Sequence, residues 1–226
     1  MRYWMSVGGI MSEERPVVPD FATVDPEAYA AWVVTETAWV RGILRKRMEL
    51  CIERLATMVS QPEFSDSIPS MMFVLSSDFD FELYPMPEGQ EGYERWPDFI
   101  LSLLKSTPGT IGYCVFSEAW AVAPESPSAI LARQALSRSG VRIEDMPDLE
   151  GLNRHEQLVA TYCGAFGPIC ASARILPKRA GIGPIAWLPK DSEIKGRLVN
   201  IGWVHKIGLP TYEQAKAMAL PSPADS

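Results

Sequence analysis

The chain has 226 residues, 47% of them apolar and 22% charged, which is ordinary globular composition with enough apolar material for one sizeable core. Its formal net charge is −7, and no apolar run approaches the length of a membrane span, so an integral membrane protein built on helices is excluded. That overall acidity also argues against a general nucleic-acid binder.

Residues 1–24 carry Pro16 and Pro19 and no hydrophobic periodicity. They lack the continuous apolar stretch of a signal peptide and read as a flexible arm. Asp25-Pro26 then opens a helix, with the aspartate as cap and the proline at the first helical position. Tyr29, Trp32, Val33, Val40, Ile43, Leu44, Met48, Cys51, Ile52, Leu55, Met58 and Val59 recur at three- and four-residue steps, up to Pro62. This is a long amphipathic helix that packs on a sheet or a partner. The basic residues Arg41 and Arg45–Arg47 read as its solvated flank.

In MMFVLSSDFDFELYP, Phe79, Phe81 and Leu83 alternate with Asp78, Asp80 and Glu82, the period of a half-buried strand. A Pro/Gly/Glu loop leads to a short helix over WPDFILSLLKS, broken at Pro108–Gly109. GYCVFSEAWAVAP at 112–124 is apolar on both faces and reads as a central strand. Residues 124–153 form a loop-rich excursion with a short helix around ILARQALS. HEQLVATYCGAFG and ICASARILP are strands joined near Gly167–Pro168. PIAWLP is a short edge strand, KGRLVNIGWVH a longer strand, YEQAKAMAL a terminal helix, and 221–226 a frayed tail. The whole predicts an α+β domain over 25–220: a mainly antiparallel sheet of about five strands packed against the long N-terminal amphipathic helix.

Charge is segregated. Between Asp78 and Asp98 seven acids face one base, Arg95, whereas between Arg174 and Lys206 seven bases face Asp191 and Glu193. Such a division suits two solvated faces or the docking of a second copy. Nucleic-acid binding through Lys178, Arg179 and Lys195 is a third, weaker reading. The four cysteines form no CxxC pair, and only two histidines are present, so neither a zinc cluster nor a multi-histidine metal site is expected. Buried free thiols in a reducing, cytoplasmic setting are expected instead.

No P-loop, GxGxxG, GxSxG, HExxH or EF-hand pattern occurs. The positions that remain are acids. Glu118, between Phe116 and Trp120, has to be partly buried and therefore needs a partner. Arg154 or Arg197 is the first choice for an ion pair, with His155 and Arg174 as alternatives. As a catalytic group Glu118 would work with His155 and Glu156, the latter two at the mouth of a strand. Asp78, Asp80 and Glu82 are weaker candidates for a hard cation.

The Ser117-Glu118-Ala119-Trp120 strand followed by Arg154-His155-Glu156 resembles a set of bacterial and phage proteins. In these a strand ending in Ser-Glu-Ala-Trp precedes one opening on Arg-x-Glu. The resemblance implies that the two strands form one structural unit, and it brings no activity with it. The expected function is that of a non-enzymatic accessory or interaction protein, self-associating, without a cofactor. Trp32, Trp39 and Trp203 are its candidate interface residues. The alternative is a small hydrolase or nucleic-acid-processing enzyme using Glu118, Glu156 and the Asp78/Asp80 pair.

Overall fold

The computed structural model of the chain describes residues 17–20, 23–65, 67–76, 81–107, 109–124, 127–140, 152–188 and 209–219. In chain order these form α1 (Pro26–Val59), β1 (Met71–Leu75), β2 (Phe81–Pro85), α2 (Gly89–Ser106), β3 (Gly112–Pro124), α3 (Pro127–Arg138), β4 (Leu152–Gly164), β5 (Ile169–Ile175), β6 (Ile182–Trp187) and α4 (Tyr212–Ala219). The class is α+β. Every strand pair is antiparallel, and the order across the sheet is β2-β1-β3-β4-β5-β6.

Among the described residues there are six strands rather than about five. The extra one comes from the MMFVL…FELYP segment, which folds back on itself so that Met71 faces Pro85 and Leu75 faces Phe81. KGRLVNIGWVH, Asp78 and Asp80 lie outside the described residues. No helix of the described residues is long and apolar enough to cross a membrane.

α1 starts where the capping chemistry places it: the Asp25 carboxylate accepts the Glu27 and Ala28 N–H groups, each at 3.0 Å. Its buried stripe includes Tyr29, Val33, Val40, Leu44, Met48, Ile52, Leu55 and Val59. This stripe covers one face of the sheet, made by Phe73, Leu75, Cys114, Phe116, Leu158, Ala160, Tyr162, Ala171 and Ala173.

Arg41 is not part of a solvated flank. Steps of four from Val33 through Thr37 carry it onto the buried stripe, where it is only 9% exposed. There Nη1 donates to the Phe166 carbonyl at 2.7 Å and Nη2 to that of Pro168 at 3.3 Å. The β4–β5 turn thereby finds donors for backbone carbonyls that no strand satisfies. Arg45, one turn on, lies over the Trp187 ring at 5.3 Å.

The opposite face is covered in part by α2. That helix begins at Gly89, well before WPDF, because Gly92 lets the Pro87 backbone lie against it; a Cβ there would stand 2.7 Å from the Pro87 carbonyl carbon. Trp96 donates its Nε1–H to the Pro87 carbonyl at 2.8 Å and packs with Ile100 and Leu104 on Met72, Val74, Tyr113 and Val115. The central strand β3 is thus covered on both faces, as its composition predicts.

Gly112 and Gly164 face each other across β3 and β4. The Tyr162 side chain fills the space that their missing side chains leave, its hydroxyl donating to the Ile111 carbonyl at 3.1 Å. A Cβ at Gly164 would stand 2.5 Å from the Ile111 carbonyl oxygen and 2.6 Å from the Gly112 Cα, both backbone atoms. Gly164→Ala should therefore lower stability by about 2–3 kcal/mol in urea unfolding, as overpacking against unyielding atoms does.

All four cysteines are free, with Cys114, Cys163 and Cys170 buried and Cys51 half-buried. Burial pushes the Cys163 thiol up to about 12 and the Cys51 thiol up to about 11. Thiols raised on folding keep the native state's advantage below the unfolded value of about 8.5 and lose it as the pH climbs toward the folded values. Stability in urea should therefore decline above pH 9 in the wild type. It should decline less steeply in a Cys51→Ala/Cys163→Ala variant measured over the same range.

Candidate functional site

The acids of β3 and β4 meet because of strand register. Glu118 stands opposite Leu158 and Trp120 opposite Glu156, so all four belong to the sheet face that carries α1. β1 stops at Met71, opposite Phe116. Two residues further along β3, Glu118 therefore meets the incoming chain instead of a strand, and its Oε1 accepts the Ile68 N–H at 3.1 Å.

The charge on Glu118 is met by Arg179. Nη2 of Arg179 donates to Oε1, and Nη1 donates to Oε2 at 3.3 Å, a two-point fork. The same Nη1 donates to Glu156 Oε2, also at 3.3 Å. The side chains of Arg179 and Glu118 are 13% and 14% exposed, and that of Glu156 is 31% exposed. One guanidinium thus holds two carboxylates.

Arg179 reaches this place through a tight connection between β5 and β6. Leu176 N–H donates to the Gly181 carbonyl at 2.9 Å, and Arg179 N–H donates to that of Leu176 at 3.0 Å. Inside the turn Lys178 and Arg179 are left-handed, with φ of 58° and 53°. For residues that carry a Cβ this costs about 1 kcal/mol or more each. The fork to Glu118 offsets that strain.

Among the described side chains the partner of Glu118 is Arg179, which was not nominated from the sequence, and two of the nominated residues lie elsewhere. His155 stands opposite Ala121 and Arg174 opposite Gln157, which puts both on the other face of the sheet. There His155 Nδ1 lies 3.2 Å from the Asn153 carbonyl, and Arg174 Nη2 donates to Asn153 Oδ1 at 3.5 Å. Arg154 pairs by backbone with Val122, and Arg197 lies outside the described residues. The Glu118–His155–Glu156 set does not assemble: the two glutamates come together and the histidine faces away. The available signal for Arg179 was the Leu176-Pro177-Lys178-Arg179-Ala180-Gly181 turn between two apolar strands, whose compactness brings its cation back over the sheet.

Glu82 is exposed and accepts from the Tyr84 hydroxyl. Among the described residues no group of histidines, cysteines and acids is arranged to hold a metal ion. Trp32 is half-buried with its ring edge-on to Phe166 at 5.1 Å, and Trp39 packs against the same core. Both therefore serve the interior of this chain at least in part, and Trp203 lies outside the described residues. No family model, no curated protein and no solved structure matches the chain.

Arg179→Met should lower stability by about 3 kcal/mol, because Glu118 then remains enclosed without a countercharge. Adding Glu118→Leu to that variant should restore most of the loss. Lys178→Gly should raise stability by about 1 kcal/mol by relieving the left-handed strain at an exposed position. All three are read from urea midpoints.

Proposed function

We propose that this chain is a non-enzymatic accessory or interaction protein that works through its surface and associates with itself in a reducing, cytoplasmic setting. The observation that carries the reading is the enclosure of Glu118. The acid with the strongest claim to chemistry is engaged by a bidentate arginine and a backbone amide, and the nearest histidine in sequence faces the other side of the sheet. An acid held in this way secures the β5–β6 connection and has no free oxygen fork with which to take a substrate proton.

Surface apolar groups supply the material for a contact. Trp120 is 39% exposed, and Ile130 and Leu131 on α3 are 44% and 66% exposed. α3 packs on β3, the strand that carries Trp120. Exposed aromatic and aliphatic groups of this kind are what self-association buries.

The second reading is a small hydrolase or nucleic-acid-processing enzyme using Glu118, Glu156 and the Asp78/Asp80 pair. It is favoured by the meeting of two glutamates on one guanidinium nitrogen.

Glu118→Gln separates the two. Under the interaction reading it loses stability, and the wild type turns over neither ester nor phosphodiester substrates. Retained stability with a lost turnover would establish the enzyme. Multi-angle light scattering should give a multiple of the chain mass for the wild type and a smaller species for Trp120→Ser/Leu131→Ser. A monomer across a wide concentration range would remove self-association from the proposal.

A further inference from the structure

α1 carries two guanidinium groups on successive turns, on the side where it meets the β4–β5 turn, the end of β6 and α4. Arg41 is buried, and its partners are two neutral carbonyls, those of Phe166 and Pro168. They engage two of the five N–H donors that a guanidinium offers. Arg45 lies over Trp187, and its Nε is buried without a hydrogen-bond partner among the described residues. Neither arginine forms an ion pair with a described residue.

Two like charges four residues apart on a helix repel each other, and burial adds the cost of lost hydration. The surroundings bear this out: desolvation lowers the Arg41 pKa, the phenol of Tyr212 acts against that, and Arg45 lowers it further. Elsewhere in the fold the chain answers the same problem with a countercharge, as Arg179 does for Glu118. At Arg41 and Arg45 the described residues supply none, although donors and an aromatic platform are already in position. A planar fork held over a ring and a second fork fixed by carbonyls match the oxygens of a carboxylate or a phosphate.

We infer that Arg41 and Arg45, with Trp187 beneath, form a binding site for a small oxyanion, a carboxylate or phosphate group, between α1 and the end of β6. This site is separate from the Glu118 cluster and stands independently of the function proposed above.

The test follows the arginine Nε–Hε resonances of the full chain in two-dimensional NMR. Inorganic phosphate and succinate are titrated separately, each against sodium chloride at matched ionic strength. The Arg45 resonance should move saturably with at least one of the two anions; which one does so assigns the class. Because Arg41 ties α1 to the β4–β5 turn, its replacement endangers the fold, so Arg45→Gln carries the mutational arm. Followed on the Arg41 resonance in both proteins, it should raise the apparent Kd about tenfold or more, as loss of a charge-assisted hydrogen bond does. Movement that is linear and equal to that in chloride, or saturation unaltered in Arg45→Gln, would overturn the site.

Discussion

A carboxylate in the central strand of a sheet has to be neutralised where it stands, since the strand cannot turn it out to water without exposing its neighbours. Cys114 and Phe116 share the face of Glu118 and are buried under α1. Turning Glu118 outward would slip the register by one residue and lift that whole apolar set from the core. The register is therefore held by hydrophobic burial, and the charge has to be met by something that comes to it. The short β5–β6 connection performs that task. Its two left-handed residues and the Arg179 fork form one device, in which backbone strain is sustained by an ion pair and the ion pair is positioned by the strained turn.

The same rule of burial explains the opposite case on α1. Arg41 belongs to the buried stripe by position, because four-residue steps place it between Thr37 and Leu44 on the core side. Its cost is met by carbonyls at the β4–β5 turn, groups with partial charge only. Among the described residues, the nearly enclosed Arg179 is thus matched by acids and the buried Arg41 by dipoles. This difference sets the Glu118 cluster, closed by a countercharge, apart from the Arg41 environment, where only partial charges answer the cation.

Most of the architecture was legible from pattern. The Asp25-Pro26 start, the stripe from Tyr29 to Val59, the two-sided apolarity of 112–124 and the edge position of PIAWLP all follow from periodicity and capping, which are local properties. The errors arose where two segments of one pattern had to be told apart. MMFVLSSDFDFELYP alternates well enough for one strand, yet its two ends pair with each other. α2 begins earlier than its apolar residues suggest, because a contact between Gly92 and Pro87 decides where that helix can start.

What the sequence alone determined was that Glu118 is enclosed and needs a cation, because period-two burial and the desolvation of a carboxylate are both readable from residue order. Which cation meets it was decided only in three dimensions. Arg179 is distant in the chain, and its selection depends on the φ angles of a six-residue turn and on the rung at which β1 stops. The opposed facing of His155 and Glu156 follows from parity along one strand. Their separation from a common site became visible only once β3 and β4 were set in register, since parity chooses a face only after the pairing has said which face each strand shares.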